Sequence, residues 1–303
     1  MSFKKFQLNY KIVIEDNDGK IITLQSYEES ENKLKSLDEA LTAKINISKS
    51  NTTTPQQCNV IIYNLNETTR NKIKKSRIYE ADKKRTIKVY AGYEDVITLL
   101  FFGEIQSAQS NLIGTDFETT IICYNDYAIK NSNINISLTA NQDNIIERIQ
   151  QTMTDVNTGY INKNANNIFH IGKRGRTFQG NSWNILNTAN KDYNIFIDNN
   201  NLFVMDEKEV RTSDILELNF QSGLLEAPKE YDNYIELKTL FEPLANLNNL
   251  VILNSSIKPE YNGNYKLLGF THDLDIENTG NNSNGTTTLK LQFLQGDFLR
   301  VKK

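Results

Sequence analysis

Cysteine is scarce, with two in 303 residues, and no C-x-x-C pair occurs, so neither a disulfide framework nor a thiolate metal or redox motif is written into the chain. Cys58 and Cys123 both fall at apolar positions of alternating segments, where a thiol behaves as a small buried hydrophobe. Catalytic signatures are missing too. There is no G-x-S-x-G elbow, neither His170 nor His272 has a nucleophile at motif spacing, and no glycine-rich loop could cradle a phosphate. No stretch approaches the roughly 18 apolar residues of a membrane span, and the opening MSFKKFQLNYKIVIE lacks the continuous apolar core of a secretory signal. The expectation is a soluble chain made in the cytoplasm, with no membrane span. Nor does one charge dominate: 34 basic against 37 acidic residues leave a net −3, which gives no global pull toward nucleic acid. At this length the chain can bury a core without covalent staples and has room for two or three domains.

What is present is short-range alternation. Ile12 and Ile14, then Ile22 and Leu24, flank Asp16-Asn17-Asp18-Gly19, whose Asp-Gly supplies the positive φ of a tight hairpin turn. Apolar residues at period two place further strands near 40–48, 58–63, 86–92, 97–107 and 115–124. Glu28 to Ser36 is ambiguous, since its charges also suit a helix. Between the strands at 58–63 and 86–92, Asn66 is placed to cap a short helix and Glu67 suits its positive end. Gly103 marks a bulge or a close backbone approach next to the run Val96 to Phe102.

From Leu138 the pattern changes. Thr139 can cap a helix over 141–153 whose one face carries Ile145, Ile146 and Ile149. A second helix begins at Ser182-Trp183, with Trp183 as a core anchor, and a hairpin follows with strands 193–197 and 202–205 turned by Asn199-Asn200-Asn201. Residues 215–220, 232–240, 250–255, 265–276 and 286–294 make a second set of alternating strands.

Two basic stretches are the candidate contact sites: Lys72, Lys74, Lys75 and Arg77 with Lys83 to Arg85, and Lys173, Arg174 and Arg176 after His170. The plain reading of both is a solvated face; the functional one is contact with an acidic partner or passing nucleic acid. His272, Asp273 and Asp275 do not converge, because neighbours on a strand point to opposite faces. Asp273 to Asn278 fails calcium-loop spacing, since the glycine comes late and no glutamate closes the loop. No metal or cofactor site and no catalytic residue is expected.

One order of features is specific. IYNL with a short helix, then AGY, then an apolar strand closing on FFGEI, then a strand ending in YND resembles the N-terminal barrel of tail hub proteins: phage baseplate hubs, late-control D proteins and the hub part of secretion-system spikes. The C-terminal half adds FEPL at 241–244, LVIL at 250–253, Gly263 and Tyr265, and KLLGFTHDLDI leading to TTTLKLQFL, which is similar to the closing pattern of that family. The resemblance implies a mainly β fold with a small α/β insert, in which two antiparallel, tube-like β-barrel domains (1–130 and 211–303) flank an insert at 131–210. It further implies a non-enzymatic homotrimer in the virion tail or baseplate, assembled in the host cytoplasm. Its pseudo-sixfold ring would adapt a hexameric tail tube to a threefold spike. The implied partners are the spike or needle protein, the tail tube protein, other baseplate proteins and the tape-measure protein. Lys72, Lys75, Lys173, Arg174 and Arg176 would then line the lumen or touch neighbours, and the strands around Val96–Ile105 and Tyr265–Leu274 would face the tube. The alternatives are a tail-associated cell-wall hydrolase and a receptor- or glycan-binding tail-tip module.

Overall fold

The computed structural model describes residues 7–15, 19–30, 33–36, 40–52, 54–75, 85–93, 96–125, 133–138, 144–153, 156–169, 175–187, 192–277, 283–294 and 297–301. The N-terminal half contains β1 (Leu8–Glu15), β2 (Ile21–Gln25), β3 (Tyr27–Ser30), β4 (Lys33–Ser36), β5 (Ala43–Ser50) and β6 (Gln57–Tyr63). It continues with α1 (Glu67–Ile73), β7 (Thr86–Tyr93), β8 (Val96–Ile113) and β9 (Asp116–Tyr124). Next come β10 (Asn133–Leu138), α2 (Ile145–Gln151), β11 (Asn157–Ile161), a 3₁₀ stretch over Lys163–Phe169, β12 (Arg176–Asn181), α3 (Ser182–Leu186), β13 (Tyr193–Asp198) and β14 (Asn201–Asp206). The last third holds β15 (Glu209–Leu218), β16 (Lys229–Glu230), β17 (Ile235–Leu240), β18 (Asn249–Leu253), β19 (Gly263–Ile276), β20 (Asn284–Phe293) and β21 (Leu299–Val301).

The fold is mainly β, as the alternation implies. Asn66 caps α1 as its sequence suggests: its Oδ1 accepts from Thr69 N–H at 2.8 Å. Asn199 and Asn200 turn β13 into β14, both with positive φ (45° and 60°). The ambiguous stretch from Glu28 belongs to the β3–β4 hairpin, so local pairing overrides the helix-suited charges. The capping role read for Thr139 lies outside the described residues. At α2, Asn166 Oδ1 accepts from Ile146 N–H instead.

Strands of both halves share one sheet of 14 strands, in the order β16-β17-β20-β19-β5-β6-β9-β8-β7-β1-β2, with β18, β15 and β21 branching from β19. The path is open, and among the described residues no pairing joins its two ends. The seam is β5 against β19, antiparallel over eight residue pairs from Gly269↔Ser50 to Ile276↔Ala43. The last third departs from a purely antiparallel design: β15 runs parallel to both β18 and β21. The crossover from β15 to β18 through β16 and β17 is long enough to bring a strand back in the same direction.

Three buried clusters lie beneath these elements. Inward alternation puts Ile12, Ile14, Ile45, Ile47, Val60, Ile62, Ile87, Val89 and Phe101 into the first, each such side chain contributing about 1.5–3 kcal/mol of hydrophobic burial. Phe241, Leu274 and Ile276 from the last third enter the same cluster. The second, around Ile146, Ile149, Phe169, Trp183 and Leu186, lies between α2, α3 and the strands of the insert. The third gathers Leu216, Leu218, Leu237, Val251, Leu267, Phe270, Leu289 and Leu291.

Candidate assembly surfaces

The basic residues separate by environment. Lys72 is exposed on α1. Lys75 corrects the sequence reading: it is only 2% exposed, donating to Glu104 Oε1 at 3.2 Å and to the Ile105 carbonyl at 2.6 Å. A lysine placed by a backbone bridge to Ala108 turns its stem into the sheet, and its ammonium is occupied by a buried carboxylate rather than offered to a partner. Arg176 is exposed at the start of β12, where its guanidinium donates to the Phe169 carbonyl at 2.8 Å and lies over the Phe178 ring at 4.9 Å. Lys173 and Arg174, with His170, lie outside the described residues. No hydrogen bond or ion pair joins Lys72, Lys75 and Arg176 to one another among the described residues. Val96–Ile105 forms the first part of β8, and Tyr265–Leu274 most of β19.

At the seam, the two faces of the sheet differ in chemistry. On the outer face a groove of about 300 Å³ crosses β6, β5, β19 and β20, lined by Asn59, Lys44, Asn46, Asp273, Asp275 and Asn284. Cross-strand register assembles it, since Asn46 stands opposite Asp273 and Lys44 opposite Asp275. Asn46 Nδ2 donates to Asp273, and Lys44 Nζ lies 3.3 Å from Asp275. The hydrogen bond that Lys44 donates to Asp275 raises the pKa of Lys44 above its ordinary value. On the inner face His272 is fully buried, its Nδ1 at 2.9 Å from Thr287 Oγ1 and its ring against Phe241 and Phe270. Burial, with Lys49 nearby, pushes its pKa down to about 3, so the imidazole is neutral. His272 and Asp273 do point to opposite faces, as alternation requires.

Large apolar side chains are exposed at several places among the described residues. The β8–β9 hairpin is exposed from Gln109 to Phe117 and carries Leu112 and Ile113 at its turn. Just past the turn, β9 is held by Asn64, which donates to Asp116 Oδ1 at 2.9 Å and accepts from Phe117 N–H at 3.0 Å. In the last third, Tyr231 stacks on Tyr234 at 4.8 Å, and Ile257 and Phe293 are exposed as well. The sequence reading missed the length of this hairpin, because β8 runs 18 residues while its apolar alternation is clear only to about 107. No described group of histidine, cysteine, aspartate and glutamate residues could hold a metal ion, and no described helix is long and apolar enough to cross a membrane.

The model of the Baseplate hub gp41 family matches residues 22–280. The chain belongs to that family. Membership gives this hub protein a structural role in a tail baseplate. No curated protein sequence matches it significantly. Among solved structures, its fold is similar to the 43 kDa tail protein of prophage MuSo2 from Shewanella oneidensis (TM-score 0.58, 10% identity, 97% of this chain and 99% of that one). It is similar also to a tail protein from Neisseria meningitidis MC58 (TM-score 0.53, 10% identity, 93% and 96%). The Escherichia coli c3393 protein, a type VI secretion component described as similar to T4 gp27 and gp5, matches with TM-score 0.53 and 6% identity over 84% and 74% of the chains.

Proposed function

We propose that this chain is the central hub of a phage tail baseplate or related injection machine, acting as a homotrimer whose six β bodies approximate a sixfold ring. The observation that carries the reading is the seam: the β5–β19 pairing joins two β bodies whose main buried clusters are distinct, with Phe241, Leu274 and Ile276 crossing into the first. Three such subunits around an axis present six bodies, and a heterologous contact repeated with the right rotation closes into a ring. The tube-like barrel character of each body, the division at 130 and 210, and adaptation of a hexameric tube to a threefold spike belong to the same proposal. So do the spike, tube, baseplate and tape-measure partners, a role in contractile systems, assembly in the host cytoplasm, and contacts by Lys72, Lys173, Arg174 and Arg176. The fold shared with type VI and prophage tail proteins supports it. Gold-tagged protein in assembled particles tests it: label at the junction of tube and spike is expected, and label confined to peripheral fibres overturns it.

A second reading, a receptor- or glycan-binding module, is favoured by the exposed Tyr231 stacked on the half-buried Tyr234, with Lys290 over Tyr234 at 5.5 Å. Saccharide binding lost in Tyr231→Ala would establish that reading; absence of binding on a glycan panel would retire it.

A further inference from the structure

We infer that the insert is built onto the C-terminal third by apolar packing but only latched to the N-terminal half by polar contacts, so that the Asp198–Asn199 turn sets the angle between the halves about the β5–β19 seam. The two attachments differ in kind. Toward the last third, Phe196, Phe203 and Met205 enter the C-terminal core. Phe196 and Phe203 stack at 5.1 Å, and the Arg211 guanidinium covers Phe203 at 4.6 Å. Tyr160 and Asn162 both donate to Glu209 Oε1, at 2.7 and 2.8 Å.

Toward the N-terminal half, that half's core takes in no residue of the insert among the described residues. Contact is made instead by the β13–β14 turn. Lys49 Nζ on β5 lies 2.5 Å from Asp198 Oδ1 and 3.1 Å from Asn199 Oδ1. Asn199 Oδ1 also accepts from Phe102 N–H at 3.1 Å on β8. Gln56 and Asn125 both donate to the Ile197 carbonyl, at 2.7 and 2.9 Å. The left-handed backbone of Asn199 and Asn200 aims these groups into the sheet.

Polar interfaces within a chain are the ones that open, because water replaces their hydrogen bonds at small net cost, whereas separating packed aromatic rings exposes apolar area. The insert and the last third therefore move as one body. The N-terminal half is held to that body by the seam, by Phe241, Leu274 and Ile276, which enter its core, and by the latch, so the motion the latch limits is rotation about the seam. The latch is a property of one chain and is read in any oligomeric state, so its failure and the failure of the hub reading are separate results.

The test uses spin labels at exposed positions, introduced as Lys72→Cys, Asn184→Cys and Glu217→Cys in pairs, with distance distributions measured by pulsed electron resonance. Cys58 and Cys123 are buried and stay unlabelled in the folded chain. Asn199→Gly removes the amide and keeps the positive φ; Lys49→Met with Asp198→Asn removes the ion pair without leaving a lone buried charge. In either variant the 72–184 distribution is expected to widen by about twofold or more while 184–217 is unchanged. A 72–184 distribution as narrow as in the parent, or equal widening of both, overturns the inference. Should the double variant fail to fold, Asn199→Gly alone decides.

Discussion

Cys58 on β6 stands directly opposite Cys123 on β9, both thiols free and fully buried. Burial raises both pKa values far above the ordinary thiol range, and the thiolate is the reactive form. Neither should react with a thiol reagent in the folded protein, and both should react after denaturation; titration with and without urea checks this.

Lys72 and Lys75 are three residues apart and should respond oppositely. Lys75→Ala removes the buried ammonium that donates to Glu104 and to the Ile105 carbonyl, an expected loss of about 1–3 kcal/mol. Lys72→Glu on the exposed face of α1 should stay within about 0.5 kcal/mol. Urea unfolding of the two variants measures the difference.

His272 makes stability depend on pH. Its folded pKa of about 3 lies below the ordinary 6.5, so between these values the unfolded chain binds a proton the folded one refuses. The contribution of His272 is complete above pH 6.5 and is lost as pH drops toward 3, by an amount on the order of a few kcal/mol. A His272→Gln variant should show a shallower decline over that window in parallel unfolding series.

Lys266 acts at the other end of the scale. It is fully buried in β19, donating to the carbonyls of Asp206 and Glu207 at 3.2 and 2.9 Å, and desolvation lowers its pKa to about 8. Between pH 8 and the ordinary 10.5 the unfolded state holds more protons, so stability rises with pH through that interval. Lys266→Met should remove the rise, which pH-dependent thermal unfolding detects.

Much of this was legible in the sequence, and the rest was not for physical reasons. Half-buried strands such as β5, β6 and β7 advertise themselves by alternation, and Asn66, Trp183 and the Asn199–Asn200 turn carry their roles in local chemistry. Gly103 was legible as a close approach: a Cβ there would meet the Tyr124 carbonyl at 2.5 Å, while the nearby irregularities of β8 fall elsewhere, at Val89/Tyr90 and Ile105/Ser107 in the register with its neighbours. Long-range partners were not legible. Nothing local marks β5 for pairing with β19 across more than 200 residues, or Phe241 for the N-terminal core. Buried cations defeat sequence reading altogether: Lys49, Lys75 and Lys266 look like solvated lysines until their tertiary partners are known.

The central claim is a ring of subunits, and the most direct test is the solution mass of the purified chain by light scattering, with negative-stain imaging of the same peak. The account predicts three times 34.8 kDa and a ring with an open centre. A monomer that stays monomeric when mixed with the spike protein of its own tail would contradict it.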